Sequence, residues 1–181
     1  MSARAALRAA TSEDHERVDR LFSRFDLGSP DGYRLFLTAQ AAAHVPIEAA
    51  LDAAGAEALL PDWRARRRSH LIEADLAELG CTLPDPVELP VLADTAAIMG
   101  ALYVLEGSRL GGAVLKRELA PHAPMRFLAA EQAPGAWRKL LAKLDESLYQ
   151  PALVEAASQT ARLVFRRFEI AARRHLESAQ A

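Results

Sequence analysis

Apolar residues recur at steps of three and four along nearly the whole chain. Between residues 3 and 25 they include Leu7, Val18, Leu21 and Phe25, a spacing that places them on one face of a helix. Alanine, leucine, arginine and glutamate are abundant, and β-branched residues rarely cluster, which also favours helix. The pattern predicts an all-α fold without a convincing strand.

Glycine and proline divide this pattern into separate predicted helices. Pro46 lies inside the second helix and predicts a kink. The proline-containing stretch 81–90 predicts an extended connection, and residues 120–134 predict a loop. The helices are predicted at about 3–25, 31–54, 62–79, 91–107, 113–119, 135–148 and 151–177. A chain of 181 residues suits one domain with a sizeable core.

The charge and the cysteine content exclude several classes of protein. The 22 basic and 24 acidic side chains give a net charge of -2, so no overall field would attract nucleic acid or an anionic membrane. Cys81 is the single cysteine, which excludes an intramolecular disulfide and a multi-cysteine metal site and fits a reducing cytoplasm. Neither a signal peptide nor a membrane span is predicted, and we expect a cytoplasmic protein.

Two groups of arginines are the main local concentrations of charge. The first group lies just after Pro61 and indicates a solvated helix face. For the second group, on the last predicted helix, a solvated face and a binding role both remain open. The first group is Arg64, Arg66, Arg67 and Arg68, and the second is Arg162, Arg166, Arg167, Arg173 and Arg174.

Three glycines, Gly107, Gly111 and Gly112, fall within one segment of a predicted helix. Glycine inside a helix costs about 1 kcal/mol relative to alanine, so the segment implies a structural demand. A tight helix crossing or a short loop is one explanation. The other is a flat ligand that lies directly on the backbone, because a missing Cβ permits close approach. In either case we expect the helix to bend or break here.

Two motifs in the chain are similar to those of one family. The sequence LYVLEGSRLGGAVLK, from Leu102 to Lys116, resembles the distal-helix motif of heme oxygenases, in which a glycine-rich kink lies over the heme. The sequence LRAATSEDH, from Leu7 to His15, resembles the proximal segment of the same family, in which the axial histidine follows an Ala-Thr pair. The resemblance implies a single heme oxygenase-like domain over residues 1–181, a multi-helix bundle with a glycine-kinked distal helix.

The resemblance implies that His15 is the axial ligand of the heme iron. A neutral imidazole is a common axial ligand, and an acceptor on its other nitrogen fixes its orientation. Asp19, one helical turn further on, is a candidate for that acceptor. Arg8 lies two turns before His15 on the same face and is expected to contact a heme propionate. The other histidines, none of which follows a glutamate at three residues, are interpreted as surface or core residues: His44, His70, His122 and His175.

The resemblance also implies the residues on the distal side. Gly107, Gly111 and Gly112, together with Tyr103, are expected to contact the heme. Many members of the family have an aspartate at the position of Ser108. The serine variant of the motif resembles that of the bacterial enzymes that serve biliverdin-binding photoreceptors. We expect Ser108 to anchor a water and to act with Gly107 and Gly111 in catalysis.

Residues near the end of the chain are further candidates for the heme pocket. The family closes its pocket with aromatic and basic groups of the last helices. Phe165 is therefore expected to contact heme, and Arg138 or Arg162 to reach a propionate. Plain packing or solvation remains the alternative for each of them.

The activity implied by the resemblance is the cleavage of heme, which is both substrate and cofactor, to biliverdin, CO and ferrous iron. The reaction needs O2 and electrons, and the chain has neither a dinucleotide fingerprint nor a cysteine cluster. A ferredoxin- or flavin-type reductase is therefore implied as the external electron donor, and a bacteriophytochrome as a receiver of biliverdin. Two alternatives remain open, a heme carrier or sensor without turnover and a helical interaction protein without a ligand.

Overall fold

The structure, a computed structural model, describes residues 2–178 except for the side chain of Ala113. Every regular element among these residues is helical, which confirms the predicted all-α class. A 3-10 turn, Lys116–Glu118, follows the sixth helix. The helices are α1 (Ala3–Phe22), α2 (Pro30–Ala53), α3 (Ala56–Leu59), α4 (Trp63–Arg66), α5 (Ser69–Glu78), α6 (Thr95–Leu115), α7 (Arg126–Ala129), α8 (Ala136–Ser147) and α9 (Pro151–Ser178).

Side-chain caps set the starts of two long helices. The Ser29 hydroxyl accepts a hydrogen bond from the backbone N–H of Gly32 at 3.1 Å, and α2 begins at the next residue, Pro30. The Asp94 carboxylate accepts one from the backbone N–H of Ala97 at 2.8 Å. Helix α6 therefore begins at Thr95, four residues later than predicted.

Helix α9 is the centre of the bundle. It packs against α1, α2 and α6, and its Val164 and Phe168 are buried in the shared core. The backbones of α6 and α9 are in close contact at Gly100, because a Cβ at this position would overlap the carbonyl of Ala157. These contacts agree with the single domain predicted for residues 1–181, which stays a prediction.

The single helix predicted for residues 62–79 is wrong, because the chain breaks at Arg67 and Arg68 between α4 and α5. The interpretation of the first arginine group as a solvated helix face is wrong for two members. Arg66 and Arg68 are buried, since at the break their side chains turn inward and reach α6. Arg64 is 78% exposed, as predicted for the whole group.

The predicted interruption of the helix at the glycine segment is also wrong. Helix α6 continues through Gly107 and Gly111 to Leu115, and the separate helix predicted for 113–119 does not form. Leu102 and Leu105 are buried, and their packing helps to offset the cost of glycine in a helix, about 1 kcal/mol each. A bend in the axis of α6 stays a prediction.

The loop predicted for 120–134 contains the short helix α7. The carboxylate of Asp75, a fully buried residue of α5, accepts hydrogen bonds from the backbone N–H groups of Arg126 at 3.1 Å and Phe127 at 2.9 Å. An acceptor from another helix thus satisfies the first donors of α7, which the local sequence did not indicate.

Helix α6 with the following turn, Thr95–Glu118, is long and apolar enough to cross a membrane by length and composition. Its apolar residues, however, include Met99, Leu102 and Leu105, which are buried against other helices. The same composition is typical of the core helix of a bundle, and α6 packs as one.

Candidate functional site

His15 projects from α1 with most of its imidazole exposed. The side chain is 60% exposed, and its Nδ1 lies 2.9 Å from a carboxylate oxygen of Asp19, the predicted neighbour. The ring meets the edge of the Phe165 ring of α9 at a centroid distance of 5.7 Å. With Nδ1 held by Asp19, the atom left for a metal is Nε2.

The face of α1 that carries His15 also carries Arg4, Arg8 and Thr11, at helical steps of three and four. Tyr103 of α6 lies near this face, since Arg4, Arg8 and Thr11 each act to lower the pKa of its hydroxyl. Burial raises the pKa of Tyr103, although the two arginines oppose the shift. Tyr103 therefore joins the predicted proximal helix to the predicted distal helix.

One face of α6, called its bare face below, has no side chain at Gly107 and Gly111, and the exposed Leu110 and Val114 lie beside these glycines on the same face. A Cβ at Gly107 would be 3.7 Å from Cη2 of Trp137, an ordinary contact, and a Cβ at Gly111 would meet nothing within 4 Å among the described residues. Trp137 in turn lies beside Tyr103, with 6.2 Å between the ring centroids. Packing thus leaves room at Gly107 and Gly111, and aromatic rings flank that room on one side.

Gly112, by contrast, has a reason inside the protein for lacking a side chain. Its Cβ would be 3.0 Å from the backbone oxygen of Leu128 in α7. It also lies about 140° around the helix from Gly107. Close packing on Leu128 accounts for this glycine, and its predicted contact with heme stays a prediction.

Ser108 has its hydroxyl hydrogen already engaged. The hydroxyl donates to the backbone oxygen of Leu105 at 2.7 Å and accepts a hydrogen bond from Nη2 of Arg68 at 3.0 Å. A hydroxyl has one donor and two acceptor sites, so in this arrangement Ser108 can only accept from a further group. The predicted anchoring of water at Ser108 is therefore compatible with the structure only if the water donates.

A buried polar group behind α6 was missed by the sequence analysis. His44 and Glu48, one turn apart on α2, contact each other with 2.8 Å between Nε2 and a carboxylate oxygen, and Arg68 lies on their other side. Burial lowers the pKa of His44 despite the opposing hydrogen bond with Glu48, so the imidazole is neutral at pH 7 and donates from Nε2. The signal was present in the sequence, because both polar residues interrupt an otherwise apolar stretch of α2.

The charges of this group are strongly constrained. Burial alone would raise the pKa of Glu48, but hydrogen bonds from His44 and Ser69 outweigh it and hold the pKa below the usual range. Burial lowers the pKa of Arg68 to about 10, which leaves the guanidinium charged at pH 7. Nδ1 of His44 is buried without a hydrogen-bond partner among the described residues.

A buried ion pair between Arg66 and Glu106 lies on the other flank of the glycine segment. Glu106 is 1% exposed and accepts hydrogen bonds from Arg66 at 2.8 Å and from Gln132 at 2.9 Å. Arg109 donates to the backbone oxygen of Arg66 at 2.8 Å. These contacts hold Glu106 and Arg109 in the protein interior, away from the bare face of α6.

The remaining predicted residues lie in different surroundings. Phe165 is buried and touches His15, as described above. Arg162 donates from Nε to the backbone oxygen of Ala10 at 2.9 Å, which ties α9 to α1. Arg138 is exposed on α8, next to Trp137. The propionate contacts of Arg138 and Arg162 stay predictions.

These residues fit heme. An imidazole with Nε2 available suits the iron, and the backbone at Gly111, where a Cβ would meet nothing within 4 Å in the described part of the chain, suits a flat ring. Aromatic side chains, Phe165 beside His15 and Trp137 beside Gly107, supply apolar walls. Arg8 supplies a cation for a carboxylate substituent.

Known proteins with similar sequences are heme oxygenases. The heme oxygenase of Xanthomonas campestris pv. campestris is 36% identical over 112 residues, which cover 59% of this chain and 67% of that relative. The heme oxygenase PigA of Pseudomonas aeruginosa is 32% identical over 149 residues, which cover 77% of this chain and 75% of that relative. No protein-family profile matches the chain.

A solved structure has the same fold. The heme oxygenase from Neisseria meningitidis, crystallised with NO and CO bound, superposes with a TM-score of 0.76 at 24% identity. The superposition covers 98% of this chain and 93% of that one. The predicted arrangement of helices into a heme oxygenase-like bundle is therefore confirmed for the fold.

Proposed function

The chain belongs to the heme oxygenase family and is a heme-degrading enzyme, and from that premise we propose that heme binds between His15 of α1 and the bare face of α6 at Gly107 and Gly111. One observation carries this proposal. An imidazole with Nε2 available stands on α1, and Tyr103 links that helix to the face of α6 where glycine leaves open space.

The proximal residues bind and orient the substrate. His15 would hold the iron through Nε2, while the carboxylate of Asp19 on Nδ1 fixes the tautomer and the plane of the ring. Phe165 restrains the imidazole from the side through its edge contact. Arg8 would bind a propionate and so set the rotation of the ring, with Arg138 and Arg162 as further candidates.

The distal residues leave space and position water. Heme, when bound, supplies the iron that reacts with O2 and the ring that is cleaved. Gly107 and Gly111 would let the ring lie against the backbone of α6, where side chains would otherwise hold it away. Ser108 would accept a hydrogen bond from a water beside the reacting oxygen, since its own hydrogen is engaged.

The reaction draws on partners outside the chain. We propose O2 as the oxidant, and a ferredoxin- or flavin-type reductase as the source of electrons. Biliverdin is the product that a bacteriophytochrome would take up, and the resemblance at Ser108 supports this assignment. A cytoplasmic location is proposed with these partners, because the single free cysteine fits a reducing compartment.

Titration of the purified protein with hemin, followed by addition of a ferredoxin reductase system under air, tests the proposal. A Soret band that saturates at one hemin per chain, followed by the broad red absorbance of biliverdin, is expected. A saturating Soret band without biliverdin would identify a carrier or sensor and contradict the enzymatic assignment. The absence of a saturable band would contradict heme binding itself.

A further inference from the structure

Glu48 is a buried carboxylate that the proposed mechanism does not use. It is 2% exposed on α2 and accepts hydrogen bonds from four donors. One donor is Nε2 of His44 at 2.8 Å on the same helix. The others lie at the start of α5: the backbone N–H groups of Arg68 at 2.7 Å and Ser69 at 2.9 Å, and the Ser69 hydroxyl at 2.6 Å.

These contacts make Glu48 the cap of α5. The first N–H groups of a helix have no partner within it, and no side chain of the local sequence caps α5. A carboxylate at this end is further stabilised by the helix dipole. Because the contacts include the backbone of Arg68 itself, Glu48 fixes the point from which the Arg68 side chain departs.

The side chain of Arg68 then crosses to the glycine segment. Its Nη2 donates to the Ser108 hydroxyl at 3.0 Å and to the backbone oxygen of Leu105 at 3.2 Å. The guanidinium lies over the ring of Phe127, 4.7 Å from the centroid, and Arg68 as a whole is buried. Ser108 thus receives a hydrogen bond from the guanidinium of Arg68, a residue whose backbone is held by Glu48.

The orientation of the Ser108 hydroxyl follows from this chain of contacts. Since Nη2 of Arg68 occupies one acceptor site, the hydroxyl hydrogen is directed to Leu105 and a single acceptor site is left for water. If Arg68 moved away, the hydroxyl could rotate and bind water differently. The polar surroundings of α6 therefore depend, through Arg68, on a carboxylate of α2.

We propose that Glu48 is a positioning residue for the distal side: by fixing the backbone at Arg68 and Ser69, it holds the Arg68 guanidinium on Ser108. This inference rests on the proposed function, in which the glycine segment faces heme. The effect of Glu48 on turnover is transmitted through Arg68, and binding of heme at His15 is independent of it.

The test compares Glu48→Gln with the control Glu73→Gln, a change at an exposed glutamate of α5. In the ligand-free protein, NMR measures hydrogen exchange at the Arg68 guanidinium. In the enzyme loaded with hemin, kcat and KM for biliverdin formation are measured, alone and in an Arg68→Met background. The exchange measurement needs no heme, so its result does not depend on whether the proposed function is correct.

We expect Glu48→Gln to accelerate exchange at Arg68 and to lower kcat, each by about tenfold, with KM changed by less than about twofold. In the Arg68→Met background it should lower kcat no further, because the two residues act in series. If Glu48→Gln fails to fold, Ser69→Ala, which removes one of the donors to Glu48, should give both changes at about threefold.

Two results would overturn the proposal. Unchanged exchange at Arg68 in Glu48→Gln, or in Ser69→Ala where that variant replaces it, would show that the carboxylate does not hold the guanidinium. An equal loss of kcat with and without Arg68 would show that Glu48 acts on the fold and not through Arg68. Absence of a Soret band in the unmodified protein would instead refute the proposed function, and the exchange measurement would still stand.

Discussion

The two halves of α6 both contain glycine, for opposite reasons. In the first half, a Cβ at Gly100 would overlap the carbonyl of Ala157, so the residue is required by the packing of α6 on α9. In the second half, a Cβ at Gly111 would meet nothing within 4 Å among the described residues. Packing explains why residue 100 is glycine, but packing among residues 2–178 does not explain why residue 111 is glycine.

This difference separates a glycine that serves the fold from one that serves a ligand. A glycine that packing does not require still carries the cost of glycine in a helix, about 1 kcal/mol. At Gly111 that cost is retained on the same face as Gly107, although an added Cβ would meet no atom within 4 Å among the described residues. A flat ligand on the backbone supplies the missing reason, and heme is such a ligand.

The largest effect is expected for Gly100→Ala. The added methyl group must displace the backbone of α9 at Ala157, and overpacking of this kind costs about 3 kcal/mol. Thermal unfolding followed by circular dichroism should show a clear fall in Tm. An unchanged Tm would mean that α6 and α9 are not in close contact at Gly100, and packing would then not explain this glycine.

A smaller effect of opposite sign is expected for Gly111→Ala. The ligand-free protein should be stabilised by up to about 1 kcal/mol, because alanine favours the helix and the methyl group enters open space. Hemin affinity should nevertheless fall by about tenfold, since the methyl group stands where the ring would lie.

The control for this variant is the neighbouring Gly112→Ala. Its methyl group would be 3.0 Å from the Leu128 carbonyl, so the stabilisation should be lost there. Unfolding in urea and hemin titration of both variants measure the two quantities. A Gly111→Ala protein that binds hemin as tightly as the parent would remove the ligand explanation for this glycine.

The smallest expected effect is a pH dependence of the free energy of unfolding, which is caused by His44 of α2. Burial lowers the pKa of His44 in the folded protein. The positive charges of Arg68 and Arg109 lower it further, and Glu48 raises it by a smaller amount than burial lowers it. Below a pH of 6.5, the ordinary pKa of the imidazole, the unfolded chain binds a proton that folded His44 does not. The free energy of unfolding should therefore fall as the pH decreases, by about 0.5 kcal/mol between pH 7 and pH 6.

Urea unfolding at the two pH values measures this dependence. It should be absent in His44→Gln and retained in the control His70→Gln, which alters an exposed histidine. A dependence that survives His44→Gln would have to come from another group.

The features that depend on residues close together in the chain could be predicted from the sequence. The helical class, the starts of α2 and α9 and the placement of His15 one turn before Asp19 followed from apolar spacing, caps and the family resemblance. These features are determined by residues close in the chain, where helical geometry fixes which side chains can meet.

Features that depend on contacts between distant helices could not be predicted. No glycine or proline marks the break at Arg67 and Arg68, which is stabilised by Glu48, about twenty residues earlier in the chain. For the same reason Arg66 and Arg68 were mistaken for surface residues. The glycine segment was expected to interrupt α6 because propensity argues for a break, but buried leucines keep the helix intact.

Whether His15 and the bare face of α6 enclose heme is measured by the absorption spectrum of the His15→Ala protein with hemin. We expect the His15-dependent Soret band to be lost and biliverdin formation to be abolished, added imidazole to restore the band, and the control His70→Ala to behave as the parent. A Soret band in His15→Ala identical to that of the parent, without added imidazole, would show that His15 does not bind the heme iron.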